Sequence, residues 1–378
     1  MTAAVARPTR FGRLRGGFST LGSGIGAVVA KELRGRMRGR RAFAIVTVYL
    51  VLLSVFTWGI YEFQRQINAW RFAPGAFDPS FGGSLVPLSA TVGQAIFSGL
   101  LVLETLLILV LAPALTSGAI SLEREKQTLD LLVTTPLSRL ALVVGKLVSA
   151  LTYVVLLILA SIPLSAIVFT FGGVGPEDIA RAYLFLFAVA FGTGSIALFW
   201  SALLKRTQAA TVITYLTVLG LTLGATVVYV FWFAMAQQAS PGLFDDRTLT
   251  TRRPPEAVMW FNPFIGDLDL ICGTSIAGID PTCEMVNVVT GRSSPFATEP
   301  VPVGIEAAGD CPPNARCLPA DGGAIGAPVK PGVDPFELLR DTFWPRSAIA
   351  FTSLGLILTL LSSRLVTPAV RRYRRFRR

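Results

Sequence analysis

Three sets of side chains carry what chemistry this sequence has. Cys272, Cys283, Cys311 and Cys317 stand in one stretch. Glu104 interrupts the apolar run GLLVLETLLILVLAP, and Glu123, Arg124 and Glu125 open the polar stretch SLEREKQTLDLLVTTPLSR. Absences narrow what these can do. The chain has no histidine, which removes Ser-His-Asp and Cys-His nucleophiles and most zinc sites. No G-x-x-x-x-G-K-[ST] occurs: VVGKLVS around Lys146 has the Gly-Lys pair but neither the earlier glycine nor the following Ser or Thr. We therefore expect no enzyme, no catalytic residues, no metal and no bound cofactor, and no P-loop hydrolysis of ATP by this chain alone.

An even set of cysteines confined to one segment suits two disulfides in an oxidising compartment. Three pairings are open. The simplest joins nearest neighbours, Cys272 with Cys283 and Cys311 with Cys317. Zinc is disfavoured, because there is no C-x-x-C. Glu104 is a different problem. A carboxylate at the centre of a membrane helix costs about 2.5 to 3.5 kcal/mol on insertion scales. Three placements follow: on a substrate or ion path, in helix packing as a bonded or protonated acid, or toward lipid near one end of a span.

These groups need elements to hold them, and composition says which kind. The chain is 52% hydrophobic and 15% charged, with mean hydropathy +0.60, too apolar for an ordinary soluble domain. Windows of about 20 apolar residues, the length of a helical span, predict six helices: 42–61, 92–120, 142–171, 183–204, 211–235 and 347–365. Helices are required because lipid leaves an isolated strand without backbone partners. Around them lie a cytoplasmic N-terminus (1–41), spans one to five (42–235), an extracytoplasmic segment (236–346) holding all four cysteines, the sixth span (347–365) and a basic tail (366–378).

The net charge of +11 is distributed by side. Ten basic residues precede the first span, others flank spans two to five, and seven arginines lie from Arg364 to Arg378, with four acids on that side: Glu32, Glu123, Glu125 and Asp130. This is the positive-inside pattern with both termini cytoplasmic. The tail RRYRRFRR reads as an anchor on anionic lipid, not a nucleic-acid site. The expected location is the cell membrane. The Pro- and Gly-rich segment 236–346 predicts a small loop-dominated domain. Within it, Asn262 caps and Pro263 opens a short helix whose Phe264, Ile265, Leu268 and Ile271 share a face, lying in the outer leaflet or buried in the domain. Gly192, Gly194, Ser195, Gly220 and Gly224 read as points of close helix approach.

The stretch after span two has helical order. Leu122, Leu129, Leu132 and Val133 form a stripe from about 121 to 135, Pro136 stops it, and Ser138 can cap the next helix. Its first turns mix carboxylates and bases, which suits docking against a polar protein surface.

The run ISLEREKQTLDLLVTTPLSRLALVVGKLVSAL (120–151) resembles the loop of the ATP-binding-cassette type-2 permease family. The matching positions are Glu123, Arg124, Glu125, Thr128, Leu129, Asp130, Leu131, Leu132, Thr135, Pro136, Leu137, Gly145 and Lys146. AVVAKELRGRMRGRRAF is similar to that family's amphipathic connecting helix at the membrane interface, and FNPF to a motif after the fifth span. The resemblance implies an all-α polytopic permease with six spans. Its coupling helix would sit in a cleft of a separate P-loop ATPase dimer, which binds the ATP and Mg, and a second permease copy, identical or related, would complete an exporter. It further implies partner contact for Glu123, Arg124 and Glu125, with Thr128 in the same motif. Apolar docking falls to Leu129 and Leu132, and a bend to Pro136. A non-transporting scaffold or sensor with an extracytoplasmic binding domain is the alternative.

Overall fold

The computed structural model describes residues 40–71, 88–127, 139–238, 254–274 and 343–366, together with Gly26, Cys283, Val286 and Val289. Ten α-helices of four residues or more are built from these: α1 (Arg40–Arg71), α2 (Leu88–Thr116), α3 (Ser121–Glu125), α4 (Arg139–Ser165), α5 (Val168–Phe171), α6 (Pro176–Leu203), α7 (Thr207–Leu219), α8 (Ala225–Gln238), α9 (Pro263–Thr274) and α10 (Phe343–Leu365). No strand occurs among the described residues. Six helical stretches are long and apolar enough to cross a membrane: 43–67, 89–125, 140–171, 176–203, 207–235 and 343–365. They coincide with the six predicted windows and extend several of them.

The fourth span, α6, is the centre of the bundle. Of its most apolar window 78% is buried, against 17% for the first and fifth spans, and it packs on α2, α4, α7, α9 and α10. Its start is set by Pro176 in the first turn and by Asp178, whose carboxylate accepts the Gly175 N–H at 3.0 Å. The tightest joint is with α10. A Cβ on Gly192 would stand 2.6 Å from the Phe351 ring, and one on Gly355 2.6 Å from the Phe191 ring. Each glycine is thus the socket for an aromatic ring of the other helix.

Gly194 meets Leu151 in the same way, whereas a Cβ added at Gly220 or Gly224 would find nothing within 4 Å. The expectation of close approach at these last two is corrected. They bracket a π-turn, Gly220–Gly224, that divides the fifth span into α7 and α8. A π-turn widens the helix and leaves carbonyls off the regular ladder, and the Thr222 carbonyl is taken by Asn262 from outside the span, Nδ2 to O 3.2 Å.

The helix opened by Pro263 is present as α9, capped by Asn262 through Oδ1 to the Phe264 N–H at 3.1 Å. It does not lie on the surface. Ile265, Gly266, Asp267, Asp269 and Leu270 are buried, and α9 packs between α2, α6 and α10. Gly266 makes this fit: a Cβ there would overlap the Phe185 ring of α6. Asp269 Oδ2 accepts the N–H groups of Phe343 and Trp344, both at 2.9 Å, and so caps α10 from a neighbouring helix. The same layer is tied by Arg346 to Glu256 at 2.8 Å and by the Ser347 hydroxyl to the Trp260 carbonyl at 2.7 Å.

Candidate coupling joint

The polar stretch that follows span two is described from Ser121 to Gln127. Over this part it is one helical turn, α3, not the opening of an unbroken helix to residue 135: Gln127 takes a left-handed backbone angle, φ 55°, which ends a helix. Thr128, Leu129, Leu132 and Pro136 lie outside the described residues. So does the connecting segment before span one, apart from Gly26, Arg40 and Arg41.

The regular helix is interrupted by a turn at Ser117–Ile120, between α2 and α3, and an interruption of this kind leaves N–H groups to be satisfied from outside the helix. One hydroxyl serves the N–H groups of both Ile120 and Ser121. Ser201 Oγ, fully buried near the end of α6, accepts each at 3.0 Å and bonds the Ser121 hydroxyl at 3.2 Å. Ser117 bonds Thr211 of α7 at 2.9 Å. Glu123 then pairs with Lys146 of α4, 2.6 Å from Nζ to Oε1, with the lysine only 4% exposed. Glu125 accepts the backbone N–H and the hydroxyl of Thr207, both at 2.8 Å, and so caps α7. One short helix therefore makes polar bonds to three spans, through α4, α6 and α7. Leu122, Lys126 and Gln127 are exposed beside it.

Sequence reasoning placed Lys146 within the family motif but gave it no partner, and it missed Ser201 and Thr207. Glu–Lys pairing across 23 positions has no periodic signal; the Gly-Lys at a span start is the one clue in the sequence. Arg124, on the same turn, is half-buried.

Glu104 is 2% exposed, about halfway along α2, and its Oε1 has no hydrogen-bond partner. Among the cysteines, Cys272 is bonded to Cys283, closing the nearest-neighbour pairing at the end of α9. Cys311 and Cys317 lie outside the described residues. Among the described residues no group of three potential ligands could hold a metal ion.

Five apolar helices around a buried sixth, with a polar joint at one end of the bundle, define a multi-pass membrane protein. The family model described as ABC-2 family transporter protein matches residues 26–265, and the chain belongs to that family: it is a membrane permease component of an ABC transporter, not itself the catalytic subunit. No curated protein matches the sequence.

Proposed function

We propose that this chain is the permease subunit of an exporter and that α3 receives force from a separate cytoplasmic P-loop ATPase dimer, on which ATP and Mg are bound. The observation that carries this reading is the joint itself: Glu123 on Lys146, Glu125 on Thr207 and the Ser201 bridge lock α3 to three spans. Displacing the segment must tilt those helices together. Arg124, Leu122 and Lys126, with Thr128, Leu129 and Leu132 beyond, supply contact to the ATPase, and Pro136 sets the return into α4. Glu123 and Glu125 hold the joint as well as carrying charge at that surface.

Both termini are cytoplasmic in this reading, in a cell membrane, supported by the positive-inside charge pattern. The basic tail rests on anionic lipid and the N-terminal segment lies along the interface. The first and fifth spans leave most of their apolar side chains outward, Phe43, Val48, Val55 and Trp58 on one and Val212, Leu216, Leu223 and Phe231 on the other. Lipid and a second permease copy, identical or related, cover these faces. Residues 236–346 form the extracytoplasmic part, from which α9 packs back between the spans.

Purification of the full chain from native membranes with mild detergent tests the assignment. A P-loop ATPase should co-purify in stoichiometric amount, and Leu129→Glu with Leu132→Glu should release it while leaving the permease folded. A permease that is purified intact and never retains an ATPase would overturn the reading.

A further inference from the structure

Deep in the bundle, five elements turn polar groups toward one place that the coupling joint does not use. Glu104 of α2 lies within electrostatic reach of Tyr49 of α1, Tyr183 of α6 and Asp267 of α9. Ser161 and Ser165 of α4 bond the Tyr183 hydroxyl at 3.0 and 2.8 Å. All are buried: Glu104 is 2% exposed, Asp267 and Thr105 0%, and Tyr49 5%. Ser161 also stands beside the Glu104 carboxyl and the Tyr49 hydroxyl, and Thr105 beside Asp267, yet both Asp267 oxygens, Glu104 Oε1, the Thr105 hydroxyl and the Tyr49 hydroxyl fall outside hydrogen-bonding geometry. Gly266 is what brings the acid in, by letting α9 settle on Phe185.

Among the described residues no cation balances the two acids. The charges on the surrounding elements are engaged elsewhere: Glu62 with Arg65 on α1, Lys146 with Glu123 on α4, Arg181 with Glu177 and Asp178 on α6, and Arg346 with Glu256 on α10. Asp269 of α9 is spent on the Phe343 and Trp344 N–H groups, and Arg364 stands in the last turn of α10. An unpaired carboxylate out of water neutralises before it stays charged. Oxygen groups alone, on five elements, with two acids and no counter-charge, are a set that takes up protons.

We infer that Glu104 and Asp267 form an intramembrane proton-binding site, loaded in the closed bundle and emptied only when water enters between α2 and α9. In that step each carboxyl O–H bond breaks, the electron pair stays on the carboxylate, and the proton passes to water as hydronium. The Thr105 and Tyr49 hydroxyls, close to the acids but outside bonding geometry in the closed form, then have a charged acceptor to close on. Because α9 is tied to the π-turn by Asn262 and to α10 by Asp269, proton release is coupled to movement of spans five and six. The inference stands on the bundle alone and not on the ATPase pairing, so the two fail separately.

Infrared difference spectroscopy of the full chain in lipid nanodiscs, titrated with acid and base as the only probe, tests it. The wild type at neutral pH should show the carbonyl stretch of a protonated carboxylic acid. Glu104→Gln and Asp267→Asn, neutral isosteres of the loaded form, should each lower that band roughly twofold. The wild-type spectrum decides even if a variant fails to fold. A neutral-pH spectrum with no protonated-carboxyl band would overturn the site, as would a carboxylate band that shifts on adding sodium at fixed pH, which would assign it to a metal cation.

Discussion

At the scale of single residues, the consequential groups are those that hold a neighbour's backbone or charge in place. Lys146 is buried and bonded to Glu123, and removing one charge of a buried pair is costly. Glu123→Gln should destabilise by about 2–4 kcal/mol, less than for a wholly buried pair because Glu123 keeps some exposure; adding Lys146→Met should recover much of the loss, read by thermal unfolding in detergent. Burial lifts the Asp267 carboxyl well above its ordinary 3.8, offset only in part by Thr105, whose hydroxyl falls outside bonding geometry. The native state then holds a proton that the unfolded chain releases, so stability falls as pH rises above the ordinary carboxylate range. Asp267→Asn should flatten that slope. Much of this was beyond reading from sequence. Glu104 announced itself as a lone acid in an apolar run, but Asp267 and Asp269 sit among Gly and Leu in a stretch that looks like a loop helix. Only the packing of α9 into the bundle separates the unbonded acid from the capping one.

At the scale of elements, glycines with the same local setting turn out to do opposite things. Gly192 and Gly355 receive aromatic rings, so Gly192→Ala or Gly355→Ala forces overpacking and should cost about 1–3 kcal/mol. Gly224 has open space around it, and Gly224→Ala should be neutral or stabilising by up to about 1 kcal/mol if the π-turn persists. Chemical unfolding of the three variants side by side separates the two roles. The spans themselves were legible because about 20 apolar residues admit only one structure in lipid. Which glycine meets a neighbour was not, since helical periodicity gives the faces of a helix but not what each face touches. The Asn262 cap and Pro263 start of α9 were equally plain in the sequence. That Asn262 also grips the fifth span, with Nδ2 2.7 Å from the Thr226 hydroxyl, depends on a π-turn that no pattern in GLTLG discloses. Asn262→Ala should therefore cost about 1–2 kcal/mol, more than a cap alone at the low end, and loosen the fifth span in hydrogen exchange.

At the scale of the whole molecule, the buried fourth span and the two largely uncovered ones divide the bundle into a core and a surface meant for other molecules. Family membership and the number of spans followed from hydropathy and one motif; the depth of α9 did not, because a helix of mixed polarity can lie in an interface or enter a bundle with the same sequence. The Cys272–Cys283 bond closes a loop of 11 residues, and Cys272→Ser with Cys283→Ser should lower stability by about 2–3 kcal/mol, seen as a lower midpoint that reductant no longer changes. The Asp269 cap has one more effect. By accepting the first N–H groups of α10, α9 fastens the point where the chain leaves the bundle to the point where it returns, so residues 275–342 begin and end at one anchored gate. That anchor does not need residues 292–338, so the position is a natural docking port for grafted sequence: replacing 292–338 by a short Gly-Ser linker should leave the helix content and the assembly of the six spans unchanged in circular dichroism and size-exclusion chromatography.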